Sequence, residues 1–297
     1  MAVAASLHNL LTRSLDYAGM FPPCSLELAP ALANQARYVR DAEAWMLSAF
    51  VLPIAKFAAA SPSLSQFDRE HPLRVSALVP KSNSAPEFIA ALRTAVETIR
   101  TFSKEHVDLV SVDQLEMPLN KDVDLAEARG AIGDLKLRVF WETTADAAAK
   151  SIASLAGSGF GYKLRTGGVT PDAFPSSAQI AKALVAAAKH QVPIKFTAGL
   201  HHPVRQFRDE VKTKMHGFLN VLGAGVLAFE HKWDEAQTTV MLEDEDAAAY
   251  SFDDKTFAWR EWKIDNHGIE AQRKFVTSFG SCSFDEPRED LRALKLL

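Results

Sequence analysis

Eight short apolar runs, separated by longer amphipathic stretches, set the pattern of this chain. The runs fall at 14–18, 49–54, 73–79, 107–112, 135–141, 160–165, 193–198 and 275–281. Each has the length of a strand, and the stretches between them carry apolar residues at helical spacing. In 84–104, Phe88, Leu92, Val96 and Ile99 share one face, and Ser84 followed by Glu87 predicts a capping box at the helix start. Strands alternating with helices argue for a parallel sheet. Eight such units predict the α/β class and a closed (β/α)8 TIM barrel rather than an open doubly wound sheet. No Gly-x-Gly-x-x-Gly turn follows an early strand, so the usual dinucleotide-binding signal is missing.

The repeat breaks once, at 201–265, which is too long for one strand–helix step. It holds an apolar helix at 218–229, an acidic run at 243–246 and an aromatic segment at 257–262. It is expected to be an insertion after the seventh strand, serving as a lid or a contact in a homo-oligomer. The remainder fits one domain over 1–297, because α/β barrels of about 250 residues are single domains.

Composition narrows the partners. Thirty-three basic against 37 acidic side chains leave a net charge of −4, so no broad basic surface for nucleic acid is expected. No apolar run approaches the roughly 18 residues of a membrane span, and the N-terminus lacks a basic start followed by a long apolar core. Two cysteines, Cys24 and Cys282, in so long a chain suggest a reducing compartment. A cytoplasmic protein with a small anionic metabolite as partner, and neither nucleic acid nor membrane, is the expectation.

In TIM barrels the site forms at the C-terminal ends of the strands. Those ends supply Asp16, Asp108, Glu142, Lys163, Arg165, Thr166, Lys195, His201, His202 and Ser281. In Gly-Phe-Gly-Tyr-Lys-Leu-Arg (159–165), Phe160, Tyr162 and Leu164 take one face and Lys163 and Arg165 the other. In Pro-Ile-Lys-Phe-Thr (193–197), Lys195 and Thr197 alternate against Ile194 and Phe196. The helix-covered face wants apolar residues, so both lysines should point inward. Crowded, buried cations lower each other's pKa and yield a neutral amine able to attack a carbonyl. The same cations could equally hold a phosphate or carboxylate, with Arg165 supplying a planar fork of donors.

Five segments carry a resemblance: 107–110 (VDLV), 136–144 (KLRVFWETT), 161–168 (GYKLRTGG), 194–199 (IKFTAG) and 278–283 (SFGSCS). Together with the opening LDYAGMFPP (15–23), their order resembles deoxyribose-phosphate aldolase, a TIM-barrel class I aldolase that needs no cofactor or metal. The resemblance implies a lyase in which Lys163 forms the Schiff base. It implies that Lys195 depresses the pKa of Lys163 and that Asp108 relays protons. Gly280, Ser281 and Ser283 would then line a phosphate pocket. Arg165 departs from the family pattern by standing where a small residue is usual. So does Leu200, which stands where the family has a second glycine and is followed by His201, His202 and Pro203.

The histidine pair could bind a metal, but neighbours on a strand face opposite ways and no second histidine pair occurs on the first strand. One histidine lining the pocket and one bonding the backbone is the simpler reading. Asp16 reads as a substrate ligand or a turn residue, Glu142 as a ligand or as the counter-charge of Lys163 or Arg165. The alternative to imine chemistry is an anion-binding barrel acting through Arg165, Lys195, His201 and His202.

Overall fold

The computed structural model describes residues 3–297. Its strands are β1 (Leu15–Tyr17), β2 (Leu47–Pro53), β3 (Leu73–Leu78), β4 (Val110–Pro118), β5 (Arg138–Glu142), β6 (Gly161–Arg165), β7 (Ile194–Thr197), β8 (Gln206–Arg208), β9 (Thr213–Met215), β10 (Tyr250–Phe252), β11 (Thr256–Trp259), β12 (Trp262–Asp265) and β13 (Val276–Ser281). Strands β1 to β7 and β13 pair in parallel and close into one barrel in the order β1-β13-β7-β6-β5-β4-β3-β2. The fold is a (β/α)8 TIM barrel. Among the described residues, no helix is long and apolar enough to cross a membrane.

The helices are α1 (Ala5–Leu11), α2 (Leu28–Tyr38), α3 (Phe57–Ala60), α4 (Ala85–Glu105), α5 (Leu125–Ile132), α6 (Ala148–Ser154), α7 (Ser177–His190), α8 (Phe218–His231), α9 (Glu235–Glu243), α10 (Asn266–Gln272) and α11 (Asp285–Ala293). In α4, Phe88, Leu92, Val96 and Ile99 are all buried. The cap of α4 is half of the expected box. Ser84 Oγ accepts from the Glu87 amide at 3.3 Å, but the Glu87 carboxylate turns to the amide of Asn83. A complete capping box occurs at α7 instead, between Ser176 and Gln179.

The long segment after β7 divides. Helix α8, buried nearly all round, belongs to the helical layer: Phe218 stacks on Phe279 and Phe229 on Phe275, at ring separations of 5.0 and 5.2 Å. Gly225 lets it close on β13, where an added Cβ would stand 2.8 Å from Val276 Cγ1. The additions are the β8–β9 hairpin and the antiparallel sheet β10-β11-β12. That sheet packs against α1, at the N-terminal end of the barrel and away from the C-terminal mouth.

Candidate active site

Lys163 and Lys195 occupy paired positions on β6 and β7, and both side chains run into the barrel interior. They meet across a single carboxylate. Lys163 Nζ lies 2.8 Å from Glu116 Oε2, and Lys195 Nζ lies 2.5 Å from Glu116 Oε1. Ser76 Oγ donates to the same Oε1 at 2.5 Å. On its other sides Lys195 reaches Asp16 Oδ2 and Gln114 Oε1, each at 2.8 Å. Asp16 is held in turn by Ser278 Oγ at 2.6 Å and by the Ala49 amide at 3.1 Å. Lys163 touches Glu142 Oε2 at 2.8 Å, and Arg165 Nε approaches Glu142 Oε1 at 3.4 Å. Three cations thus alternate with three carboxylates from β1 to the rim of β6.

The inner part of this chain is dry: Lys163, Lys195, Glu116 and Asp16 are between 0% and 3% exposed. Charges in such a place are stable only when each is paired. Burial pulls the pKa of Lys163 down, but Glu116 and Glu142 together outweigh it, and the net shift is upward. Burial likewise works against ionised Glu116, yet the two lysines hold its carboxyl well below the usual range. The expected neutral amine at Lys163 is therefore corrected. Counting only the crowded cations overlooks the carboxylate set between them, which both lysines touch.

Asp108 is also corrected. It lies in the turn before β4 with φ of 69°, exposed, its nearest cation Arg69 at 3.9 Å. Strand β4 begins and ends later than its apolar run suggests, and Glu116 is its inward carboxylate. The cause is a bulge: Val75 pairs with Val112 and Ser76 with Gln114, skipping Asp113. One extra residue resets the alternation, so Gln114 and Glu116 turn inward while Leu115 and Met117 turn to the helices. The run Gln-Leu-Glu-Met before Pro118 carried this signal in the sequence.

Other expected site residues are engaged structurally. Thr166 is buried, and its Oγ1 donates to the Ala198 carbonyl at 2.6 Å, pinning the ends of β6 and β7. Beside it, Gly199 adopts φ of 75° where an added Cβ would lie 2.8 Å from the Gly167 Cα, so this contact needs glycine. His201 and His202 are drawn to α11, with Nδ1 atoms 3.0 Å from Glu286 Oε2 and 2.6 Å from Asp290 Oδ2. They do not join the lysines. Ser283 Oγ accepts from the Glu286 amide at 3.1 Å, and Ser281 Oγ from the Ser283 amide at 3.3 Å. Gly280 faces Thr197 and pairs with Asp16. The first turn of α11 carries Asp285 and Glu286, a poor setting for a phosphate. Cys282 is buried against Cys24, and burial pushes its thiol up to about 12, so it is no thiolate nucleophile at neutral pH. Among the described residues no group of three or more metal-binding side chains comes together.

No family model matches this chain, and no curated protein matches it. Among solved structures, it is similar to a D-psicose 3-epimerase determined in the presence of D-fructose. The identity is 7%, the match covers 89% of this chain and 99% of that one, and the TM-score is 0.43. It is also similar to xylanase XynB from Paenibacillus barcinonensis complexed with a conduramine derivative. Here the identity is 12%, the coverage 94% and 86%, and the TM-score 0.42. At such values neither carries an activity to this chain. Neither is a deoxyribose-phosphate aldolase, so that resemblance rests on the sequence motifs alone.

Proposed function

We propose that this chain is a class I aldolase-like lyase whose Lys163 condenses with a small anionic carbonyl compound. The observation that carries the reading is the convergence of Lys163 and Lys195 on the two oxygens of Glu116. The interior of a TIM barrel is ordinarily filled by layers of branched apolar side chains. Burying ions there is often less stable than burying hydrocarbon of the same volume. A dense set of ionised groups in that position, with a perturbed lysine and carboxylate, argues for chemistry.

In this reading Lys163 rests as an ammonium. As the carbonyl arrives, Glu116 takes one proton, and the free amine forms the C–N bond of a carbinolamine. The carbinolamine hydroxyl then leaves as water, taking the proton back through Glu116. An ammonium and a carbonyl thus become an iminium and water, with no net proton change. Lys195 holds Glu116 in its ionised form until the transfer. Arg165, half exposed at the rim beside Glu142, is placed to receive the anionic group of the substrate.

The upward shift at Lys163 favours a second reading, in which the amine stays protonated and the barrel binds an anion without an imine. Borohydride separates the two. The full chain is incubated with acetaldehyde or with pyruvate, reduced, and weighed by intact mass spectrometry. The imine reading expects a stable adduct mapped to Lys163 and absent from Lys163→Met. No adduct with either probe, or one that survives in Lys163→Met, sinks it and leaves the anion-binding reading.

A further inference from the structure

At the opposite end of the barrel, where the strands begin, a cavity of about 660 Å3 opens. Its size lies within the range of small-molecule pockets, roughly 300–1,000 Å3. Six cations line it: Arg13, Arg74, Lys136, Arg138, Arg273 and Lys274. Only two carboxylates, Asp113 and Glu270, join them, in a chain whose net charge is −4. The positive charge is therefore concentrated here against the trend of the whole molecule.

The local pairing does not neutralise it. Asp113 is shared between Arg74 at 2.5 Å and Arg13 at 3.5 Å. Arg138 makes no ion pair among the described residues, its guanidinium lying 5.5 Å from the centre of the Phe140 ring. Arg273 spends its donors on carbonyls, those of Val276, Thr277 and Thr12, and its Nε has no partner. Burial, and then the charge of Arg138, bring Arg273 down to about 9. The Nε of Arg74 is likewise buried without a partner. Uncompensated guanidinium groups facing a cavity repel one another until an anion enters.

We propose that this N-terminal cavity binds a small phosphate-bearing anion, gripped by Arg13, Arg74 and Arg138. Planar guanidinium forks match pairs of phosphate oxygens, and three of them can surround one phosphate group. The cavity leaves room for an organic remainder beyond that group. Its floor includes Gln114, which accepts from Lys195, so the bound anion sits one side chain below the buried ion chain. The site is independent of imine chemistry at Lys163.

The test is calorimetric titration of the full chain with sodium pyrophosphate, with sodium chloride at matched ionic strength as control. Saturable binding is expected, weakened about tenfold or more in Arg138→Gln, the order expected for one lost charge-assisted hydrogen bond. Lys150→Gln, exposed on α6 and outside both sites, should bind as the native chain does. Should Arg138→Gln fail to fold, Lys136→Gln takes its place with the same direction of effect. Absence of saturable binding, equal binding by the cavity variants, or loss of binding in Lys150→Gln would each overturn the proposal.

Discussion

Lys163 and Lys195 stand directly opposite each other on neighbouring strands, yet their charges are separated by the carboxylate of Glu116, which both amines touch. Two buried cations can occupy adjacent inward positions only because β4, two strands away from β6, delivers an anion between them. The stability of the barrel interior therefore hangs on Glu116.

Replacing Glu116 by Gln leaves two buried ammonium groups short of counter-charge. Breaking a buried ion pair by removing one partner costs about 3–5 kcal/mol. A shift of the urea midpoint corresponding to that loss is expected. A fourfold replacement, Glu116→Leu with Lys163→Met, Lys195→Leu and Asp16→Asn, should recover most of it, because no fully buried charge is left unpaired and Glu142 keeps Arg165. Asp108→Asn, at the exposed turn, should leave the midpoint where it is.

The pH dependence has two edges. Glu116 titrates lower in the folded chain than in the unfolded one, so its contribution is fully present above the unfolded value of about 4.3. It is lost as the pH falls from there through the folded value. Lys163 titrates higher when folded, so its contribution is fully present below about 10.4 and is lost as the pH rises through its folded value. Neither group adds a slope to the urea midpoint between these edges. The alkaline edge should shrink in Lys163→Met, and an unchanged edge would assign it elsewhere.

His216 supplies a separate acid-side signal. Burial brings its imidazole down to about 4, although its Nε2 sits 2.7 Å from the Pro175 carbonyl, and Arg205 adds to the lowering. A histidine held neutral in this way stabilises the fold fully above its unfolded value of about 6.5, and the contribution falls away as the pH drops toward 4. The loss over that interval is about 3 kcal/mol, at 1.36 kcal/mol per unit. NMR titration of the His216 ring protons should show no midpoint near 6.5.

Arg165 should matter for ligand and not for fold. Its guanidinium is half exposed and its pair with Glu142 is stretched, so the pair is worth at most about 1 kcal/mol. Arg165→Gln should keep the native urea midpoint to within that amount. In borohydride trapping, it should raise the half-saturating concentration of pyruvate about tenfold or more and leave that of uncharged acetaldehyde unchanged. Equal effects on both probes would show that Arg165 orders the mouth rather than binding charge.

Local chemistry along the chain determined the barrel and the inward aim of its two lysines. Alternation within β6 and β7 is a property of the pleat, so Lys163 and Lys195 can be assigned a face from their immediate neighbours. The recurrence of eight apolar runs is equally local, as is the helical stripe of α4. What only the tertiary structure decided is who meets whom. The bulge at Asp113 turned β4 by one residue and put Glu116, not Asp108, inside. Closure of the barrel then brought it between lysines from β6 and β7. Closure also gathered Arg13, Arg74 and Arg138, which precede or begin three different strands, around one cavity. Neighbouring residues cannot encode such meetings, because register and closure are set by pairing all eight strands at once.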